Sequence, residues 1–147
     1  GLDPSTITLE FTETTLMHDT EVTRHRLAQL REAGVSLAVD DFGTGYSSLQ
    51  YVQRFPIDGI KIDRSFVRGL GDEAGDTAVV QSMIELAQRL GVHTVAEGIE
   101  RPEQITMLQS LGADLGQGYL FSRPVPPDQL VELLHRSIAE GRRFLVR

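Results

Sequence analysis

A chain of 147 residues with 40% apolar side chains is long enough for one domain with a real core, or for a piece of a larger one. Its 14 Lys+Arg against 21 Asp+Glu give a formal charge of −7, which argues against holding a DNA or RNA polymer through bulk electrostatics. No apolar run approaches the roughly 18 residues that cross a bilayer, and the absence of cysteine excludes disulfides and thiolate metal sites.

In chain order, short apolar runs predict strands at Ile7–Phe11, Val35–Asp40, Gly59–Asp63, His93–Glu97 and Leu115–Leu120. Amphipathic runs predict helices at Thr20–Glu32, Ser47–Gln53, Thr77–Leu90, Pro102–Ser110 and Pro127–Glu140. In the last of these, Leu130, Leu133, Leu134 and Ile138 share one face. Alternation of strand and helix predicts a parallel sheet with covering helices.

A weak repeat places Gly34, Gly91 and Gly112 each between a helix end and the next strand. Counting forward from these glycines, Asp40, Glu97 and Gln117 fall at strand carboxyl ends, and Glu10 closes the first strand in the same way. Parallel α/β folds bind ligands at that edge, so the pattern is a rim of oxygen donors. Two architectures fit: a complete doubly wound sheet, or part of an eight-stranded barrel of about 250 residues. The opening Gly1-Leu2-Asp3-Pro4 leads into a strand with no Met start, which favours a truncated barrel lacking about three units.

The densest segment is Val39-Asp40-Asp41-Phe42-Gly43-Thr44-Gly45-Tyr46-Ser47-Ser48. Neighbouring residues of a strand face opposite ways, so Asp40 and Asp41 can share a site only where the strand turns, and Gly43 and Gly45 permit a turn. An Asx turn followed by a helix capped by Ser47 explains the pair alone; Glu10, Glu97 and Lys61 at equivalent strand ends favour a site. Asp41-Phe42-Gly43 matches the kinase metal-binding element, but the accompanying kinase motifs are absent. Phospho-accepting receiver domains place an acid pair on the first strand and a lysine on the last, an order this chain does not follow.

Leu9-Glu10-Phe11-Thr12-Glu13, the Asp40–Ser48 segment, Ile60-Lys61-Ile62-Asp63-Arg64-Ser65-Phe66-Val67, Val95-Ala96-Glu97-Gly98-Ile99-Glu100 and Gly116-Gln117-Gly118-Tyr119-Leu120-Phe121-Ser122-Arg123-Pro124 occur in that order. Together they resemble the carboxyl-terminal part of an EAL domain, the bacterial phosphodiesterase of cyclic di-GMP, over essentially the whole chain. The resemblance implies the last five β/α units of a TIM-like (β/α)8 barrel. It also implies hydrolysis of one phosphodiester of cyclic di-GMP to linear pGpG, dependent on two Mg²⁺ or Mn²⁺ ions. Two of the family's metal-site motifs, the Glu-Ala-Leu signature and an asparagine on the following strand, would precede this chain.

By the same resemblance Glu10, Asp40, Asp41 and Glu97 hold metal, with Asp40 able to bridge two ions and Glu97 also a candidate general base. Lys61 orients the attacking water, Gln117 helps hold the catalytic water network, and Glu13 fastens the loop from Phe42 to Tyr46. Asp63 and Glu100 are expected near the lysine and a guanine. The chemistry is consistent: a dianionic dinucleotide is repelled by an acidic rim unless divalent cations intervene, and hard oxygen donors suit Mg²⁺ or Mn²⁺.

Other residues carry less. His18, His25, His93 and His135 lack ligand spacing, Tyr46, Tyr119 and Phe121 can pack in the core or stack on guanine, and Arg142, Arg143 and Arg147 read as a solvated tail. The alternatives to an enzyme are a receptor that binds the nucleotide without cleaving it, or a fragment that only self-associates. An incomplete barrel exposes strand edges, so the chain by itself is expected to be inactive and to form a homodimer or larger assembly. A cytoplasmic bacterial location is expected, with any membrane attachment supplied by other domains of the parent.

Overall fold

The computed structural model describes residues 1–12, 21–45, 53–72 and 74–139. Among these residues five strands run β1 (Thr8–Thr12), β2 (Ser36–Phe42), β3 (Gly59–Ile62), β4 (His93–Ala96) and β5 (Leu115–Gly116). The helices are α1 (Glu21–Glu32), α2 (Arg64–Arg68), α3 (Ala74–Leu90), α4 (Pro102–Leu111) and α5 (Pro127–Ala139).

The sheet order is β1-β2-β3-β4-β5 and every pairing is parallel. That order separates the two architectures left open by the sequence. A doubly wound sheet reverses direction at a switch point, whereas consecutive parallel strands are the winding of a β/α barrel. The five units therefore form a partial barrel.

Strand register divides the sheet into two chemically different faces. One carries Leu37, Val39, Ile60, Ile62, Thr94 and Ala96, each at most 1% exposed. Of these, Val39, Ile60, Ile62 and Ala96 share a cluster with Val67 of α2, Val80, Ile84 and Ala87 of α3, and Leu108 of α4. Burying each large aliphatic chain contributes about 1.5–3 kcal/mol. Helix α3 fits because Val80, Met83, Ile84 and Ala87 recur at helical spacing while Gln81, Ser82, Glu85 and Gln88 face solvent.

Between units the chain uses one device twice. Asp58, just before β3, accepts the Leu37 amide at 3.0 Å, and Asp114, just before β5, accepts the Thr94 amide at 3.0 Å. Each aspartate thus fixes the height of the strand before it. The repeat glycines behave as the sequence predicts: Gly34, Gly91 and Gly112 have φ of 96°, 70° and 84°.

Several boundaries differ. The last strand, expected over Leu115–Leu120, stops at Gly116, because the Leu120 amide turns back to the Ile99 carbonyl and residues 118–121 form a turn. Strand β2 continues past Asp40 to Phe42, and α3 begins at Ala74 instead of Thr77. Helix α2 was not anticipated. The expected Ser47–Gln53 helix lies outside the described residues except for Gln53, which sits in a turn.

Candidate active site and metal centre

The face opposite the apolar core carries the predicted site. Ala38 pairs with both Glu10 and Gly59, Thr12 with Asp40, Lys61 with Val95, and Val95 with Leu115. Steps of two residues keep a side chain on one face, so Glu10, Asp40, Lys61, Glu97 and Gln117 all belong to it.

Lys61 is the centre of this face. Its Nζ donates to Glu10 Oε2 at 2.6 Å and lies 2.9 Å from Asp40 Oδ1 and 2.8 Å from Glu97 Oε1. The residue is only 6% exposed. Burial works against its ammonium form, yet the bonds to Glu10, Glu97 and Asp40 more than offset that and hold the pKa above the ordinary lysine value. Lys61 is charged.

Carboxylate oxygens of Asp40, Asp41 and Glu97 approach within 4.8 Å of one another. Adjacent Asp40 and Asp41 reach one place because β2 shifts register between Val39 and Phe42, with Asp41 at φ 53°. Gly43, with φ 94°, turns the chain as the sequence predicts, and Asp41 adds a second positive φ two residues ahead of it. Aspartate tolerates this left-handed conformation better than most residues. The Thr44 amide and hydroxyl both donate to the Asp41 carbonyl, at 3.2 and 2.8 Å, and so anchor the turn.

Glu97 is placed by its amide, which donates to the Ile62 carbonyl at 3.1 Å. Gln117 is fixed through its backbone: its amide donates to Ala96 and its carbonyl accepts from Ile99, while its side chain is exposed at the rim. Glu10 meets the cluster through Lys61 and is not one of the three converging carboxylates. Glu13 lies outside the described residues, as do His18, Tyr46, Ser47 and the Arg142–Arg147 tail.

Asp63 caps α2, accepting the Ser65 amide at 2.9 Å. Burial raises its pKa, but the Ser65 hydroxyl and amide, with Arg64, prevail and lower it overall. Glu100 is exposed and borders a hollow of about 730 Å³ lined also by Arg64, Arg68 and Arg101. Tyr119 is 52% exposed with the Arg123 guanidinium 4.6 Å from its ring centre, whereas Phe121 packs against the core.

One structural residue escaped the sequence reading. Gln104 is 2% exposed; its Oε1 accepts the amides of Glu100 and Arg101, each at 2.9 Å, and its Nε2 donates to the Val67 carbonyl at 2.9 Å. It ties the loop after β4 to α2 after β3. The available signal was Pro102 at the helix start with Gln104 two residues on, the pattern of a capping box.

Chemically, the donors fit a hard divalent cation: three carboxylates converge, all ligands are oxygen, and a fourth acid stands one lysine away. Consecutive parallel strands with such donors at their carboxyl ends define a β/α-barrel protein with a candidate metal centre. The EAL domain family model matches residues 1–124, and the chain belongs to that family.

Among its relatives, the cyclic di-GMP phosphodiesterase NbdA of Pseudomonas aeruginosa is 47% identical over 134 residues, 91% of this chain and 17% of NbdA. The solved PaMucR phosphodiesterase in its c-di-GMP complex superposes with a TM-score of 0.82 at 43% identity, covering 88% of this chain and 52% of that one. BlrP1 of Klebsiella pneumoniae, in a manganese and cyclic di-GMP complex at pH 9.0, gives 0.77 at 43% identity over 84% of this chain and 31% of that one. This chain thus spans a sixth of NbdA and about half of the solved PaMucR chain. Among the described residues no helix is long and apolar enough to cross a membrane.

Proposed function

We propose that this chain forms part of a domain that hydrolyses one phosphodiester bond of cyclic di-GMP to linear pGpG, using two Mg²⁺ or Mn²⁺ ions. The observation that carries this reading is the convergence of Asp40, Asp41 and Glu97 within 4.8 Å beside a buried, charged Lys61. Glu10, Asp40, Asp41 and Glu97 would hold metal, the last three as the converging group and Glu10 from across Lys61. Bound divalent ions supply charge neutralisation and acidify coordinated water.

The protein's own groups do the rest. Lys61 presents a fixed positive charge where negative charge gathers on the attacked phosphate, and it orients the water that attacks. Glu97 can take a proton from that water, being on the same face as Lys61 and one step from it. Gln117 offers an amide at the rim for the water network. Glu100, which borders the arginine-lined hollow, is assigned to a guanine edge, and Asp63, the cap of α2, to the substrate side near Lys61. Glu13 is assigned to fastening the loop from Phe42 to Tyr46, which keeps the acid pair in place.

The position of β1 at the edge of the sheet among the described residues supports self-association of this chain into a homodimer when it is made by itself. The same reading places the parent in the bacterial cytoplasm, with any membrane attachment supplied elsewhere in it. The test is turnover of cyclic di-GMP by the parent domain with Mn²⁺. Asp41→Asn should lower it by about a hundredfold. Unchanged turnover in that variant defeats the assignment, and tight binding without turnover in the unaltered domain replaces it with a receptor.

A further inference from the structure

The hollow of about 730 Å³ between α2 and α4 lies outside the rim, and neither Lys61, Gln117 nor any of the rim's acids lines it. Two contacts fix its walls. Gln104 bonds the loop after β4 to α2, and Gly98 lets that loop close onto Arg64, where a Cβ at position 98 would collide with the Arg64 side chain. The charges inside do not cancel. Arg101 is committed to the protein, its guanidinium meeting Asp72 at 2.8 Å and the carbonyls of Arg68 and Leu70 at 3.3 Å. Arg64 and Arg68 stand one helical turn apart on α2, both exposed, and neither is within ion-pair distance of a described carboxylate, although Arg64 acts on Asp63 through its charge. Glu100 is exposed beside them.

A bare anion suits the two arginines but not Glu100, and a bare cation suits Glu100 but not the arginines. The hollow instead fits a ligand with an anionic group at one end and paired N–H donors at the other. Guanosine 5′-phosphate (GMP) has both: phosphate oxygens accept from forked guanidinium groups, and the guanine N1–H and N2 amine give a carboxylate two donors side by side. Adenine has an acceptor at N1 and no N2 amine. We infer that this hollow binds a guanosine 5′-phosphate group, with its phosphate on Arg64 and Arg68 and its guanine edge on Glu100. The inference rests on the reading above for the guanine at Glu100 and goes beyond it. Opening one diester of a cyclic dinucleotide leaves a 5′-phosphate monoester that the ring does not have. A monoester carries nearly two negative charges at neutral pH where each diester carries one, so a pair of arginines favours the opened form. The same chemistry is offered by the new end of the linear product and by a free mononucleotide.

Every residue invoked lies in this chain, so the full 147-residue chain answers the question without added metal. The isotope-labelled chain is titrated with GMP, linear pGpG, AMP, guanosine and inorganic phosphate in separate magnetic-resonance runs. In each sample the side-chain amide of Gln104, slowed in exchange by its bond to Val67, reports that the hollow is formed. GMP should move the backbone signals of Arg68, Gly98 and Glu100. AMP and guanosine should each bind about tenfold more weakly than GMP, and inorganic phosphate more weakly still. Arg68→Met should reduce GMP to the level of guanosine, and Glu100→Gln should remove the preference for GMP over AMP. Affinity for pGpG equal to or above that for GMP supports the site with the product's new end as its source, and weaker pGpG binding supports it with the free mononucleotide. Phosphate binding as tightly as GMP, GMP affinity unchanged in Arg68→Met, or no response to GMP and pGpG while the Gln104 signal is in place each overturns the inference. The comparison among ligands uses the unaltered chain and stands whatever the variants do. The hydrolase reading is decided separately, by turnover in the parent domain.

Discussion

Gly118 lies directly against the backbone of Ile99, so close that a Cβ at position 118 would collide with the Ile99 amide and carbonyl. The neighbouring bonds show what this closeness serves: the Ile99 amide donates to Gln117, and the Leu120 amide donates to Ile99. The loop carrying Glu97 is stitched to the loop carrying Gln117. Gly118→Ala should therefore cost about 1–3 kcal/mol, the usual penalty for overfilling a packed position where backbone has to move. Urea denaturation measures it, and a loss below a few tenths would show that the two loops are free to separate.

The turn at Asp41 separates backbone tolerance from carboxylate chemistry. At φ 53° an asparagine is accommodated nearly as well as aspartate, whereas a β-branched residue is not. Asp41→Asn should leave the denaturation midpoint of the metal-free chain almost unchanged, while Asp41→Val should lose about 1–2 kcal/mol. Both should lose Mn²⁺ affinity. Equal stability of the two variants would mean that the register shift in β2 is not what brings the acid pair together.

Much of the site was legible because strand parity and the glycine spacing act locally. Once Gly34 and Gly91 mark the starts of strands, Asp40 and Glu97 fall at their ends without any knowledge of packing. Lys61 could be placed on the rim in the same way, but not its burial, which depends on three acids arriving from β1, β2 and β4. The device that unites Asp40 and Asp41 was hidden, since a bulge arises from pairing with the next strand and not from residue type alone. Asp63 was read through its neighbour Lys61, although its spacing from Ser65 is also that of a helix cap. Gln104 was missed for a related reason: its partner Val67 is 37 residues away, with α3 and β4 between them.

That long-range bond makes Gln104 a second test of how the rim is held. Replacing it with leucine keeps the volume but leaves the amides of Glu100 and Arg101 and the Val67 carbonyl without their partner. Each buried group left unsatisfied costs about 1–3 kcal/mol, so Gln104→Leu should rank among the most destabilising single changes in α4. Gln104→Glu keeps the acceptor for both amides and loses only the donor to Val67, and it should fall between leucine and the native residue. Thermal melts of the three chains give the ranking. Leucine equal to glutamine would mean that water satisfies these groups and that the β3 and β4 exits are not coupled here.

Asp63 gives a pH dependence with a definite sign. Its carboxylate is stabilised in the folded chain by the Ser65 hydroxyl and amide, so its folded pKa lies below the ordinary aspartate value of about 3.9. A carboxyl with a depressed folded pKa adds stability that is fully present above the unfolded value and is lost as pH falls through the folded one. At pH 7 the cap is intact, and Asp63→Ala should cost about 1 kcal/mol. Asp63→Asn retains a capping oxygen and should cost only a few tenths, with no pH dependence of its own. Below the folded pKa the native cap loses its charge, so the gap between native chain and Asp63→Ala should narrow from pH 4 downward. Denaturation curves at pH 7 and pH 3 for the three chains decide it: a gap that widens on acidification would mean that Asp63 is stabilised in its protonated form, the opposite of what a helix cap does.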